Sequence, residues 1–495
     1  MVGARRAPRA PRAAAWVALA LPVAVCGAVA VIAAAHPSFL VTPSTLGRFP
    51  GWLAGPLRAP GLIGVLGTDH ARVAYTIAVA VAGVGWLGLT RWASTLPLGA
   101  VWGAVLVAHL LLLLGPPING ADIYNYLGYA RLQALHGLNP YAHSLLAAPR
   151  DQLFAWTTWH QLSDPYGPGF TLVVAPLGHA SIATAIWVLK GLGAMASLTA
   201  IALVGRAARR LDRSPQAAVA LCGLCPVWLL WAVGGSHNDL WLAAALAGAA
   251  LLGAGRRKGA AGAALVLAAA AKVTTLAVVP LPALAAEPGR RARALLEAAA
   301  AGALAAGVIL VAFAGHLPAL DRQAGLVSSL SLPNLLGAAL GLGGVTPGVR
   351  LALDVGVAGV AVWAAVRAVR GKGWLPGAGW TMLALMLSLS WLEPWYVVWV
   401  LPLAALGASR PLRLAAIAAT VYEGVIWAPL GHTGLVDALG VAGRSPRAFR
   451  SVDFAQALHD AASAGWPLAL VGVTVVAAAG AIVLGGPPRL RRSAP

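Results

Sequence analysis

Apolar runs long enough to cross a bilayer recur along the whole chain, and short basic clusters separate them. From Ala13 to Ala35 there is no charge at all, and about 20 predominantly apolar residues in a helix span the hydrocarbon core. Comparable runs cover residues 71–90, 96–114, 184–205, 216–233, 239–254, 260–286, 292–314, 349–366, 376–392, 396–408, 412–430 and 466–486. In lipid every backbone polar group must be satisfied inside the protein, and long apolar runs without strict alternation do this as helices. The expected fold class is therefore an all-α polytopic membrane protein with about 12–14 transmembrane helices. Only 10% of the residues are charged, against about 25% in a soluble protein. No separate soluble domain and no internal repeat is evident, so residues 1–495 form one integral-membrane domain.

The net charge of +20 would fit a nucleic-acid binder if the basic residues lay on one surface. Instead they fall in clusters between the apolar runs: Arg5, Arg6, Arg9 and Arg12; Arg206, Arg209, Arg210 and Arg213; Arg256, Arg257 and Lys258; Arg290, Arg291 and Arg293; Arg367, Arg370 and Lys372; Arg489, Arg491 and Arg492. That is the positive-inside pattern, and it puts all these clusters in the cytoplasm. The first apolar run is too long for a secretory h-region and is expected to be a retained helix. Residues 260–286 begin and end beside cytoplasmic clusters, so they must fold as a re-entrant or hairpin pair. The tip falls near AAKVTT and carries Lys272 toward the outer face. Residues 170–177 read as a short half-inserted entry, and 431–465 as an outer loop. Three cysteines make no disulfide framework, and the Cys222-x-x-Cys225 pair within an apolar run reads as small membrane-helix residues.

This topology leaves the unusual polar residues together on the extracytoplasmic side. The first group is the loop 115–169, which opens with NGADIYNYLGYARLQALHGLNPY. Asp122, Tyr126, Tyr129 and Gln133 recur at helical spacing and share one face of a helix lying at the membrane surface. Asp122 suits an N-cap, a general base at a dry interface, or both. Turns at GLNPY, with Tyr141, and at DPYGPG, with Tyr166, shape the wall of the loop. SHND, between two apolar runs, offers His237, Asn238 and Asp239 beside Gly234 and Gly235, with Asp239 placed to hold one tautomer of His237. Lys272 lies amid alanines, where an unpaired charge costs about 2.5–3.5 kcal/mol. It is expected to meet an anion such as a lipid-linked phosphate, with Arg131 a second candidate. Glu393 and Trp395, in SWLEPWYVVWV, combine an acid with rings that anchor at the interface or stack on a sugar. Phosphate-binding glycine loops and zinc-ligand spacings are absent from the sequence, so a donor entering from the lipid is the economical reading.

The sequence DIYNYLGYARL, GLNPY, SDPYGPGF, SHND, AKVT and PWYVVWVLPL, in that order, resembles the polyprenol-phosphomannose-dependent α-1,6-mannosyltransferases of actinobacteria. These are integral-membrane glycosyltransferases of the GT-C superfamily, and the likeness runs from about residue 100 to 410. The resemblance implies a GT-C-like fold with extracytoplasmic interfacial helices in the catalytic loop. It also implies transfer of mannose from polyprenyl phosphomannose to a growing mannan or lipoglycan, with inversion, on the outer face of the cell membrane. By the same resemblance Asp122 is the catalytic base. It also implies that His237, Asn238 and Lys272 lie near the donor phosphate or sugar, and the residue pattern makes Tyr126, Tyr129, Arg131, Tyr141, Tyr166, Asp239, Glu393 and Trp395 further candidates to bind substrate. A single acid at the loop start leaves a divalent metal as an alternative to a metal-free site. The lipid bilayer is the implied partner and nucleic acid is not. A flippase for a lipid-linked glycan, or a transferase of another sugar such as arabinofuranose, are the alternative readings.

Overall fold

The computed structural model describes residues 12–35, 38–42, 49–57, 68–318 and 325–443. The expected crossing at 466–486, the arginines at both chain ends (Arg5, Arg6 and Arg9; Arg489, Arg491 and Arg492) and most of the loop 431–465 lie outside these residues. Among the described residues the fold is all-helical, with an isolated antiparallel bridge between Ser144 and Ser163. Among these residues five helices are long and apolar enough to cross a membrane, and a bent pair makes a sixth. The full-length five contain α1 (Arg12–Ala35), α2 (Thr68–Trp92), α6 (Ile182–Arg210), α11 (Arg291–Phe313) and α13 (Pro347–Val369), the short α12 (Leu332–Ala339) lying between the last two in the chain. The bent pair is α16 (Arg410–Ile426) with α17 (Pro429–Leu439), turning 88°. α11 and α13 leave much of their apolar surface exposed, including Leu304, Val311, Leu351 and Val355, as lipid-facing helices do.

Several of the other apolar runs are broken, and one break has a clear local cause. The run 216–233 is expected as one helix, but α7 (Pro215–Gly223) stops there and a π-helical turn follows over Trp228–Val233. Pro226 lacks an N–H and its ring collides with the preceding turn, so the α-helix cannot pass through it. α8 (Asp239–Ala254) leads away from that turn, and α9 (Lys258–Ala271) returns beside it. After Lys272, which is extended at φ −156°, the chain makes a 3₁₀ segment (Val273–Val278) and the short α10 (Leu281–Leu284). A Cβ built on Gly262 of α9 would lie 3.6 Å from the Val279 carbonyl, so this segment folds back along α9 as the expected hairpin requires. α14 (Leu375–Ser388) ends in the same manner: Glu393, extended at φ −123°, leads into a 3₁₀ segment (Pro394–Trp399) and the short α15 (Leu401–Leu406).

α8 thus runs from Asp239 toward Arg256–Lys258, and α9 runs back to Lys272. The basic residues meet at the far end of the bundle. Arg210 donates to the Leu251 carbonyl at 3.4 Å, Lys258 to that of Gly253 at 2.9 Å, and Arg291 to that of Val369 at 2.6 Å. At the near end α3 (Leu98–Leu114) delivers the chain to α4 (Asp122–His136). Gly137 closes α4 in the left-handed region, φ 63°, and the Leu138 N–H bonds back to Leu132 at 3.0 Å. The segment expected as a short entry at 170–177 forms a separate short helix, α5 (Pro168–Val174), and a following 3₁₀ turn. Cys26, Cys222 and Cys225 are free and buried.

Candidate active site

Four interruptions of helical structure converge at the near end: the start of α4, the turn before α8, the break after α9 and the break after α14. Backbone bonds hold them in register. Ile118 N–H donates to Gly234 O at 2.9 Å, and Asn119, in the left-handed region, donates from Nδ2 to the Leu230 carbonyl at 2.9 Å and the Tyr75 hydroxyl at 2.6 Å. Gly167, in the DPYGPG turn, donates to Ala271 O at 3.1 Å. A Cβ there would overlap the backbone of Ala270 and Ala271, so only glycine lets the loop reach the Lys272 break. Ser236 is a non-glycine residue at φ 56°, and its hydroxyl anchors the turn on Leu189 O at 3.0 Å.

Asp122 is the first residue of α4, but Ala121 is the N-cap and no side chain caps the helix. Its two oxygens face other partners. Oδ2 lies 3.2 Å from His237 Nδ1, and Oδ1 accepts from Trp159 Nε1 at 3.3 Å. Burial pushes the carboxyl up, while His237, then Trp159 and more distantly Lys272, outweigh it and hold it below the usual range. The helix N-terminus favours the same charged form.

His237 is fully buried and stacked on Trp395, with centroids 3.5 Å apart and planes 13° from parallel. Asp239 does not orient it, contrary to the expectation from sequence. The side chain two residues on, at the start of α8, turns the other way and takes Lys272 Nζ at 2.7 Å and Trp399 Nε1 at 2.6 Å, both on Oδ1. Lys272 also lies over the rings of Tyr396, at 4.4 Å, and Trp399, at 4.9 Å. Asn238 donates its backbone N–H to Tyr126 Oη at 3.1 Å. Asn238 Nδ2 and Asp239 Oδ2 are buried and find no hydrogen-bond partner in the protein, so the cluster retains a donor and an acceptor for a ligand. Glu393 is buried within electrostatic reach of Asp122, Lys272 and Asp239.

The structure therefore brings together Asp122, Tyr126, His237, Asn238, Asp239, Lys272, Glu393 and Trp395. Tyr166 borders the group, its ring edge-on to Tyr126 at 4.5 Å. Tyr129 and Tyr141 brace the loop instead. The Tyr129 hydroxyl donates to Leu162 O at 3.0 Å, and that of Tyr141 lies 2.9 Å from both Tyr166 O and Thr171 Oγ1. Arg131 points elsewhere: its Nε meets both oxygens of Asp151, at 2.9 and 3.1 Å, and His136 Nε2 approaches the same carboxylate at 2.9 Å. Trp159, Trp399 and Tyr396 also touch the charged groups, and the reading of the sequence assigns none of them to the site. Among the described residues no three of His, Cys, Asp and Glu are disposed to hold a metal ion.

A carboxylate beside an imidazole, with a cation in an aromatic box nearby, can take a proton from a hydroxyl and stabilise a departing anion. The helical membrane fold thus carries a polar cluster whose chemistry suits group transfer. The family model described as alpha-(1->6)-mannopyranosyltransferase, N-terminal domain, matches residues 38–288. The chain is also 30% identical over 362 residues to alpha-(1->6)-mannopyranosyltransferase A of Mycobacterium tuberculosis, covering 66% of this chain and 68% of that protein. No solved structure matches. The protein belongs to the alpha-(1->6)-mannopyranosyltransferase family and is a mannosyltransferase. The matched family segment contains Asp122, His237, Asp239 and Lys272, while Glu393 and Trp395 lie beyond it.

Proposed function

We propose that the protein transfers mannose from polyprenyl phosphomannose to a growing envelope mannan or lipoglycan, forming an α-1,6 linkage with inversion. The reaction takes place on the extracytoplasmic face of the cell membrane. The observation that carries this reading is the placement of Asp122 within electrostatic reach of Lys272, both partly open to the surface at 17% and 20% side-chain exposure. α8 starts from this cluster and α9 returns to it, over 16 and 14 residues. At 1.5 Å per residue they span about 21–24 Å, short of a ~30 Å hydrocarbon core. A cluster at that depth suits a head group that stays attached to lipid. The basic clusters at the opposite end of the bundle support a cytoplasmic position there and an outward-facing site here.

Asp122 accepts the proton of the acceptor hydroxyl, whose oxygen forms the new bond to the anomeric carbon. The bond from that carbon to the phosphate oxygen breaks, its electron pair leaving with polyprenyl phosphate. Attack opposite the leaving group turns a β-linked donor into an α-mannoside. Lys272 has two further N–H groups beyond the one on Asp239, and these face the charge that grows on the phosphate.

The test supplies membranes holding the protein with radiolabelled polyprenyl phosphomannose and a short α-mannoside. Transfer is expected, and Asp122→Asn should lower it by about 10²–10⁴-fold. Wild-type transfer by Asp122→Asn removes the base, and glycolipid crossing liposomes without any transfer replaces the enzyme by a flippase.

A further inference from the structure

The ring of His237 has two edges with different surroundings. Its Nδ1 edge faces Asp122 Oδ2 at 3.2 Å, somewhat off the line of an ideal hydrogen bond. Its Nε2 edge faces backbone: a Cβ on Gly120 would lie 3.0 Å from Nε2, and one on Gly235 2.5 Å away. Both ring nitrogens are buried and neither completes a hydrogen bond within the protein, but Nδ1 has a carboxylate oxygen in range. The stacked indole of Trp395 covers a face of the ring. The imidazole is wholly enclosed, whereas Asp122 in front of it is 17% exposed.

We infer that His237 is a positioning residue which acts through Nδ1 on Asp122 and does not touch the donor phosphate or sugar, its Nε2 edge being closed by the backbones of Gly120 and Gly235. This rests on Asp122 being the base. The ring supplies a donor that fixes the direction of one carboxylate oxygen, Trp159 fixes the other, and the lone pairs left over face the open side. Trp395 and the two glycines hold the ring in plane. A larger residue at either glycine would drive the ring out of line with Asp122, which gives these small residues a chemical reason. The other ionisable groups coupled to Asp122 are Lys272 from the break after α9, Glu393 and Tyr396 from the break after α14, Tyr126 and Tyr129 from α4, and Tyr166 from the loop. Asp239 is already engaged by Lys272 and Trp399.

Asparagine and glutamine separate the two edges, because an Asn amide nitrogen falls near the place of Nδ1 and a Gln amide nitrogen near that of Nε2. In the radiolabelled transfer assay, His237→Asn is expected to keep more turnover than His237→Gln, which should lose up to about 100-fold in kcat from misplacement of the base. KM for the polyprenyl donor stays unchanged in both. The acid limb of the rate profile moves to higher pH in His237→Gln, because the neighbour that holds Asp122 down is gone. Gly120→Ala, a gentler change, should lower kcat several-fold at constant KM. The reverse order, with Gln active and the donor KM raised in Asn or in Gly120→Ala, makes His237 a substrate ligand and overturns the inference. An unmoved acid limb in folded His237→Gln overturns it as well. Asp122→Asn, run beside them, reports separately on the base: if that variant keeps its rate, the underlying reading fails rather than the assignment of the ring edges.

Discussion

Removing Asp239 tests the charge balance of the site most sharply. Its carboxylate is 1% exposed and accepts from both Lys272, 20% exposed, and the Trp399 indole, all on Oδ1. Asp239→Ala leaves a cation among Tyr396, Trp399 and apolar helices, with its counter-charge gone. Breaking a buried pair from one side costs about 3–5 kcal/mol, because the remaining charge is uncompensated. Partial exposure of Lys272 lets water reach the ammonium and places the expectation at the lower end, about 3 kcal/mol. The double variant Asp239→Ala/Lys272→Met removes both charges and should recover most of that loss, since apolar replacement of a whole pair is often neutral or better. The assay is equilibrium unfolding of the purified protein in mixed micelles, run as a double-mutant cycle, with transfer activity measured alongside. Activity should be lost in both variants, while stability returns only in the double. If Asp239→Ala costs under about 1 kcal/mol, or the double variant loses the sum of the two singles, the pair is a surface-like contact and the reasoning is refuted.

Three further outcomes follow from the geometry. The Asp164 carboxyl, in the loop before α5, is raised to about 7 by burial, although it accepts from Tyr166 N–H and Thr171 Oγ1. A carboxyl raised on folding binds protons more tightly in the folded state, so stability should fall as pH rises from about 4 to 7, and unfolding of Asp164→Asn measured across that range should lack this part of the slope. Lys190 of α6 is buried and donates to the Leu112 and Gly115 carbonyls at the end of α3; Lys190→Met should destabilise by about 1–3 kcal/mol in the same unfolding assay, with KM for donor unchanged in membranes. Gly167→Ala should displace the DPYGPG turn from the Lys272 break and cost about 1–3 kcal/mol together with most transfer activity, and wild-type behaviour would show that the turn moves freely.

Hydropathy and residue order carried much of this protein. The apolar runs specify α1, α2, α6, α11 and α13 because a chain in lipid has no other means of satisfying its backbone, and the spacing of Asp122 and Tyr126 places both on one face of α4. The hairpin carrying Lys272 was legible for the same kind of reason: a run flanked on both sides by basic residues has to turn back. What tertiary structure decided is who meets whom. Arg131 could equally have met a phosphate, but Asp151, twenty residues on, folds against it. Asp239 is two residues from His237 in sequence, yet the start of α8 sends it to Lys272 and Trp399 and gives His237 to Asp122. Trp159, Trp399 and Lys190 each act through one N–H or ammonium group whose acceptor is remote in the chain. Sequence periodicity reports which face of an element is buried; hydrogen-bond partners separated by 37, 160 or 78 residues are fixed only when the broken helices come together.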